Sequence, residues 1–472
     1  MSADPAIMER LHRHGQEHLV QYWAELEAEA RAVLVAEIES IDFEQLDRLI
    51  AQFVRGDEDI HVAASDVEPI EVTRMPETDG QRASRRRSAS LGAEMLAAGE
   101  VGVVLVAGGS GTRLGFEGPK GTFPIGPVSS ASLFQIHAEK IVALSRRHGR
   151  PIPLYIMTSP ENHQATIDFL DRHDRFGLEH LRCFPQGRMP VVDRVTGKVL
   201  LSSRDHVSFA PDGHGGVLAA LAAPAGDQSC LDEMRDLGVN TLFYFQVDNP
   251  MVRIADPTFL GLHREAAAEM SFKVVERQAP EEKLGVVVRV KGRPSVIEYS
   301  DLAPELAARR IGSGTLELWA GSIAVHILER SFVERMAGDG RLPYHRAIKK
   351  TPFLDDSGRE NRPDSPNSVK FEQFIFDALP RAERWSIVET DRAGEFEPLK
   401  NAVGPESPAT VHQRMSDQFG DWLEQAGAVV PRRPDGGVAF GIEISPLFAL
   451  DAAELRAKIE PGLVVERPIY LR

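Results

Sequence analysis

The chain of 472 residues is long enough to bury a large core and predicts more than one domain. Its 54 basic and 70 acidic residues give a net charge of −16, which disfavours general binding to nucleic acid or to anionic membranes. Two cysteines, Cys183 and Cys230, provide neither a disulfide framework nor a zinc site and fit a reducing compartment. Because neither a signal-peptide pattern nor a membrane-length apolar stretch is present, we expect a soluble, cytoplasmic protein.

Residues 1–98 predict a helical N-terminal region. Leu46, Leu49 and Ile50 recur at helical spacing, as the buried face of an amphipathic helix requires. The polar stretch from 72 to 90 carries three consecutive arginines at 85–87. On an acidic protein these arginines indicate a solvated connector or a helix end rather than a nucleic-acid site.

Residues 99–400 predict an α/β domain with a mainly parallel sheet, because apolar strand-like runs alternate with helical patterns. A capping pattern at Ser132 and a stop at Gly149 bound one predicted helix. Strands are predicted at residues 101–106, 154–158, 241–247, 272–276 and 285–290, and a loop at 352–367. Residues 401–472, with a helix at 411–426, predict a small C-terminal domain.

A glycine-rich loop follows the first of these strands and predicts a phosphate site. It contains Ala107, Gly108, Gly109 and Gly111, and glycines let backbone N–H groups approach an anion closely. Positive charge at the same loop comes from the next candidates, Arg113 and Lys120.

Two common glycine loops do not match this stretch. The dinucleotide fingerprint needs a third glycine where Leu114 stands, which disfavours a nicotinamide-dependent oxidoreductase. A Walker loop needs Ser or Thr after its lysine, whereas Gly121 follows Lys120. The phosphate therefore belongs to another class of ligand.

The pattern G-G-x-G-T-R-L-G, followed by P-K-G, resembles the UTP:sugar-1-phosphate uridylyltransferases of the UDPGP type, above all the UDP-N-acetylglucosamine pyrophosphorylases. Further segments in matching order extend the resemblance from about residue 102 to 402. It implies a Rossmann-like, GT-A-like nucleotidyltransferase fold with a mixed, mainly parallel sheet. It also implies UTP and a sugar 1-phosphate as substrates, with Arg113 and Lys120 neutralising the triphosphate.

Asp248 directly follows a predicted buried strand and is the candidate magnesium ligand. In open parallel sheets ligands lie beyond the carboxyl ends of the strands, and Mg²⁺ prefers carboxylate and phosphate oxygens. Position alone leaves a second possibility, that the carboxylate caps the N–H of Asn249 or Met251. The stretch 247–253 resembles the family segment V-D-N-x-x-V-R, which favours binding of metal and nucleotide.

Two further segments resemble the nucleotide-binding parts of the family. The glutamine in residues 184–190, Gln186, would recognise the uracil edge, since an amide both donates and accepts. The loop at 210–216 would place Gly213 near the nucleotide. Without the resemblance these residues would be an exposed polar side chain and a flexible turn.

Three more charged candidates depend on the resemblance alone. Glu298, in V-I-E-Y-S-D, would hydrogen-bond the sugar hydroxyls. Lys370 would bind the terminal phosphates of UTP, and Lys400, in F-E-P-L-K-N, would hold the acceptor phosphate in line. An isolated lysine or glutamate is otherwise solvated.

The identity of the sugar is the least determined point. The N-acetylglucosamine enzymes have Asn at the position of His214, whereas the glucose-1-phosphate enzymes have His there, as this chain does. Ser322 lies in W-A-G-S, where the N-acetylglucosamine enzymes have N-A-G-N. N-acetylglucosamine 1-phosphate is the first choice and glucose 1-phosphate the alternative. A catalytically silent UTP-binding homologue is a further alternative, which retention of Arg113, Lys120, Asp248 and Lys400 disfavours. The sequence does not indicate the oligomeric state.

Overall fold

The structure is a computed structural model that describes residues 4–56, 63–224, 226–312, 314–338, 342–460 and 462–472. Contacts divide the described residues into two units. The first unit contains the described residues of 1–61, 186–216 and 342–377. The second unit contains those of 62–185, 217–341 and 378–472. The domain boundaries expected after residues 98 and 400 stay predictions.

The helices and strands are numbered in chain order within the described residues. Helices α1 to α14 are Pro5–Arg13, Ala28–Glu39, Phe43–Ile50, Asp79–Ala98, Leu133–His148, His163–Arg172, Val217–Ala222, Cys230–Asp236, Pro257–Glu265, Pro304–Ala307, Arg330–Gly338, Arg392–Glu395, Pro408–Gln425 and Ala452–Arg456. Strands β1 to β19 are Val67–Pro69, Val101–Val106, Leu154–Thr158, Leu181–Pro185, Arg188–Pro190, Val192–Asp193, Phe209–Pro211, Thr241–Gln246, Met270–Glu276, Val286–Val290, Arg293–Ile297, Ala320–Glu329, His345–Lys349, Phe353–Leu354, Glu360–Asn361, Ser368–Glu372, Trp385–Glu389, Ile442–Ile444 and Ile469–Leu471.

A ten-stranded mixed sheet forms the centre of the second unit, in the order β1-β10-β12-β8-β2-β3-β4, with β11 on β10, β9 on β12 and β17 on β9. Strands β4, β3, β2 and β8 are parallel neighbours, as are β9 and β17, while β12 runs antiparallel to β8 and β9. The parallel strands β2 and β3 are apolar runs buried along almost their whole length. The prediction of a mixed α/β fold is confirmed.

The register of the parallel strands aligns their carboxyl ends. Val106 of β2 lies beside Met157 of β3 and Gln246 of β8. The residues that follow these three strands therefore meet at one edge of the sheet, which is where α/β proteins of this kind bind ligands.

The first unit combines the N-terminal helices with small antiparallel sheets. Strands β13, β16 and β6 form one of them, and β5 pairs with β7. Leu46, Leu49 and Ile50 of α3 are buried in its core together with Phe371 of β16, as the helical spacing of the sequence predicts.

Helix α4 corrects one expectation. Residues 79–90 belong to this twenty-residue helix, so of the two alternatives for this stretch, a solvated connector or a helix end, the connector is wrong for them. Thr78 and Gln81 form its capping box, and its buried face begins with Ser88 and Gly92. A Cβ on Gly92 would lie 1.9 Å from the carbonyl oxygen of Pro257, so α4 packs closely on α9 through small residues. In the described ranges, none of the helices is both long and apolar enough to cross a bilayer.

Candidate active site

The glycine loop after β2 folds back on itself. Lys120 N–H donates to Gly109 O at 3.0 Å, and Gly111 N–H donates to Gly118 O at 3.0 Å. A Cβ on Gly111 would lie 2.7 Å from Phe116, so glycine is required there. Among the described residues, the N–H groups of Gly108 and Gly109 donate no hydrogen bond. They are available to an anion, as a phosphate-binding loop requires.

Asn162 supports this loop and was missed by the sequence analysis. It is 8% exposed, and its Nδ2 donates to the carbonyl oxygens of Ala107, at 3.1 Å, and Gly109, at 3.4 Å. Its Oδ1 accepts from Ser159 N–H, which fixes the side chain at the end of β3. Its position just beyond a buried strand was the one signal that could have identified it.

Lys120 and Asp248 meet at the predicted edge of the sheet. Lys120 Nζ lies 3.3 Å from Asp248 Oδ2, and the two side chains are 16% and 15% exposed. The turn after β8 is held instead by Asn249, whose Oδ1 accepts from Met251 N–H. Asp248 therefore faces the glycine loop instead of capping its own turn.

Helix α5 supports the turn at residues 247–252, the Asp248 turn, through two side chains. His137 Nε2 donates to Val247 O at 3.0 Å, and Lys140 Nζ donates to the carbonyl oxygens of Pro250 and Val252. Burial lowers the pKa of His137 to about 3, and that of Lys140 to about 7. The sequence did not indicate either residue as a candidate for the site, because both have the pattern of polar positions in an ordinary helix.

The residue before Lys400 holds it near the same turn. The N–H of Leu399 donates to Asp248 O at 2.8 Å. The ammonium group of Lys400 lies 3.2 Å from Glu406 Oε1.

Arg113 lies in the glycine loop with an exposed side chain, which forms no ion pair within the part of the chain that the structure describes. The second unit thus brings Arg113, Lys120, Asp248 and the Lys400 backbone to strand ends or the loops beside them.

Glu298 and Ser322 flank one glycine. A Cβ on Gly285 would lie 3.2 Å from Glu298 Oε1, and Ser322 N–H donates to Gly285 O at 2.8 Å. Ser322 lies at a bulge in β12, where Ala324 has a φ of 55°. Two of the three acceptor-sugar candidates, Glu298 and Ser322, therefore lie beside the same glycine.

Gln186 and Gly213 belong to the first unit. Gln186 is 7% exposed, and its Nε2 lies 3.3 Å from Oδ1 of Asp212, a residue that the sequence analysis missed. Burial raises the pKa of Asp212 to about 6. Gly213 has a φ of 88°, and a Cβ there would lie 2.4 Å from Gln373 O.

His214 and Lys370 also lie in the first unit. His214 Nδ1 accepts from Ile375 N–H at 3.2 Å, which leaves Nε2 as the ring donor. Burial lowers its pKa to about 4, so the ring is neutral near pH 7. Lys370 lies on β16, and its Nζ forms no ion pair with any residue that the structure describes.

A family model described as UTP–glucose-1-phosphate uridylyltransferase matches residues 43–401. The chain is 35% identical to human UDP-N-acetylhexosamine pyrophosphorylase-like protein 1, over 100% of this chain and 97% of that protein. It is 34% identical to UDP-N-acetylglucosamine diphosphorylase 2 of Arabidopsis thaliana, over 97% of this chain and 92% of the relative.

A solved structure resembles the whole chain. The uridine diphosphate N-acetylglucosamine pyrophosphorylase of Trypanosoma brucei, in complex with inhibitor, superposes with a TM-score of 0.82 at 27% identity and covers 99% of both chains. Agreement between the family model, the full-length relatives and this fold leads to one conclusion. The chain belongs to the UTP–glucose-1-phosphate uridylyltransferase family.

Proposed function

We propose that the protein transfers a uridylyl group from UTP to N-acetylglucosamine 1-phosphate and releases pyrophosphate. The observation that carries this proposal is the meeting of Lys120 and Asp248 beside a loop whose Gly108 and Gly109 N–H groups donate to none of the described residues. Positive charge and N–H donors at the carboxyl ends of parallel strands suit the binding of a triphosphate. Family membership supplies the reaction class.

The reaction needs no side-chain nucleophile. The acceptor phosphate is an anion, so one of its oxygens can attack the α-phosphorus of UTP while the bond to the pyrophosphate oxygen breaks. The obstacle is repulsion between two polyanions, and positioned cations lower that barrier. Arg113 and Lys120 would neutralise the triphosphate, Lys370 would bind its terminal phosphates, and Lys400 would hold the acceptor phosphate.

Asp248 fits the magnesium ion that we propose as cofactor. Its carboxylate faces the phosphate loop, and the described residues contain no group of three or more His, Cys, Asp or Glu side chains that could hold a metal. A single carboxylate suits Mg²⁺, which commonly takes its other ligands from phosphate oxygens and water. The bound ion would neutralise charge on the phosphates.

The acceptor sugar would be chosen by Glu298, Ser322 and His214. Relatives of 34–35% identity carry N-acetylhexosamine or N-acetylglucosamine in their names, which supports N-acetylglucosamine 1-phosphate. His214, with Nε2 as its donor, keeps glucose 1-phosphate as the second candidate.

Pyrophosphate release from UTP and Mg²⁺, measured against a panel of sugar 1-phosphates, tests the proposal. We expect the highest kcat/KM with N-acetylglucosamine 1-phosphate. A higher value with glucose 1-phosphate would transfer the assignment to that sugar. Absence of release with every sugar would contradict the proposal and favour a silent UTP-binding homologue.

A further inference from the structure

Asp212 is a buried carboxylate whose position the mechanism above does not explain. It is 8% exposed, and its carboxylate is paired with the Gln186 amide rather than with a cation in the part of the chain that the structure describes. Burying a carboxylate without a positive partner is costly. Buried carboxylates of this kind are concentrated at functional sites, where they contribute to binding or catalysis.

The local backbone is built around this carboxylate. A Cβ on Gly187 would lie 2.3 Å from Asp212 Oδ2, and a Cβ on Gly216 would lie 2.2 Å from Oδ1. The backbone of Asp212 is held on both sides, since its N–H donates to Gly187 O and its carbonyl oxygen accepts from Gln373 N–H. The carboxylate therefore has little freedom to move away from Gln186.

An ionised carboxylate only accepts hydrogen bonds, so it determines which end of the Gln186 amide faces it. Gln186 Nε2 donates to Asp212 Oδ1 at 3.3 Å. The Oε1 atom and the second N–H then form the free edge of the amide. The opposite orientation would bring Oε1 against the carboxylate, and two acceptors repel each other.

This orientation distinguishes two pyrimidines. Uracil presents a donor at N3 and an acceptor at O4, which match Oε1 and N–H on the free amide edge. Cytosine presents an acceptor at N3 and a donor at N4, and it matches the flipped amide. We propose that Asp212 is a positioning residue that orients the Gln186 amide and so makes the site select uracil over cytosine. The proposal rests on the proposed function, in which Gln186 faces the base.

The test compares UTP with CTP in Asp212→Asn, which keeps the shape of the side chain but can also donate. The kcat/KM ratio of UTP to CTP should fall by at least tenfold, and the ratio of their dissociation constants from calorimetry should fall with it. Asp356→Asn removes an exposed carboxylate of the same unit and should leave both ratios unchanged. Asp212→Ala, with a smaller side chain, serves as the second variant if Asp212→Asn does not fold.

A double-mutant cycle separates positioning from a general structural effect. In a Gln186→Ala background, Asp212→Asn should change the ratio no further. An unchanged ratio in both Asp212 variants, or an equal fall without Gln186, would overturn the inference. If the parent protein binds neither nucleotide, the proposed function fails as well. If the parent prefers UTP and the Asp212 variants do too, only this inference fails.

Discussion

The ammonium group of Lys400 is paired with Glu406 at 3.2 Å, and the two side chains are 33% and 34% exposed. An ion pair this exposed contributes at most about 1 kcal/mol, so an incoming phosphate can replace Glu406 at little cost. The backbone is held more firmly, since Lys400 N–H donates to Glu406 O at 2.7 Å. The structure thus keeps the lysine near the Asp248 turn with a side chain that is free to reorient.

Lys400→Ala should lower kcat on the order of 100- to 1000-fold while changing the dissociation constant of UTP little, because we propose that this lysine holds the acceptor phosphate. Steady-state kinetics and calorimetry measure the two effects separately. Lys458→Ala removes a lysine from another exposed ion pair and should leave both values unaltered. Near-parental turnover in Lys400→Ala would show that the role assigned to this lysine is wrong.

The sequence predicted a residue's role where that role depends on its neighbours in the chain, and not where it depends on distant segments. The glycines, Arg113 and Lys120 stand in one continuous motif, so the sequence alone indicated a phosphate site. Asn162 and Asp212 act on segments more than 20 positions away, through contacts that exist only in the folded chain. No spacing pattern reports such contacts.

At the scale of elements, helices α4 and α9 show why one prediction failed. The buried face of α4 contains Ser88 and Gly92, which lack the large apolar side chains that reveal an amphipathic helix. A Cβ on Gly261 of α9 would lie 1.8 Å from Ser88 O. The large buried side chains, Met95 and Leu96, lie near the C-terminal end of α4. Close packing of small residues replaces the apolar stripe before them, and the sequence pattern of residues 79–90 therefore resembled a connector.

Gly261→Ala should lower the free energy of unfolding by about 1–3 kcal/mol, because the added methyl group forces the two helices apart. Urea unfolding measures the change. Gly80→Ala is the matched control, since its Cβ would meet only Thr78 Oγ1, at 3.9 Å, and alanine favours a helix. Equal free energies of unfolding in the two variants would contradict close packing of α4 on α9.

Helix α5 illustrates the opposite case. Its cap at Ser132 and its end at Gly149 were predicted correctly, because capping chemistry is local. Its support of the Asp248 turn through His137 and Lys140 was not predictable, since the partners are backbone carbonyls about 110 positions away.

His137 should make stability dependent on pH. Its pKa is about 3 in the folded protein, against an ordinary value of 6.5, so the unfolded chain binds an extra proton between these values. The free energy of unfolding therefore falls as the pH drops through this window. His137→Gln can still donate to Val247 O and should reduce that slope by up to about 1.4 kcal/mol per pH unit.

Urea unfolding at pH 4, 5 and 6 measures this slope. His180→Gln, which replaces an exposed histidine, is the control and should keep the parental slope. A parental slope in His137→Gln would mean that His137 does not stay neutral in the folded protein.

At the scale of the whole molecule, fold class was predictable and the grouping of segments was not. Apolar runs alternating with helical patterns indicated the mixed α/β fold, which the ten-stranded sheet confirms. The first unit is assembled from three separate stretches of chain, at 1–61, 186–216 and 342–377. Hydrophobic periodicity is a local property and carries no information on such assembly.

In the proposed reaction, the uridylyl group passes directly from UTP to the acceptor phosphate, and positioned cations promote the attack. In a chain with a net charge of −16, we expect Arg113, Lys120 and Lys400 to supply the positive charge that this chemistry needs. None of them needs to form a bond to phosphorus. The stereochemistry at the α-phosphorus distinguishes this route from one through a covalent enzyme intermediate.

The most direct test uses UTP carrying sulfur at a single configuration on the α-phosphorus, with N-acetylglucosamine 1-phosphate and Mg²⁺. ³¹P NMR of the isolated UDP-sugar product reports the configuration at the transferred phosphorus. One in-line displacement inverts that configuration, and inversion is the result we predict. Retention would require two displacements through a covalent intermediate and would contradict direct transfer.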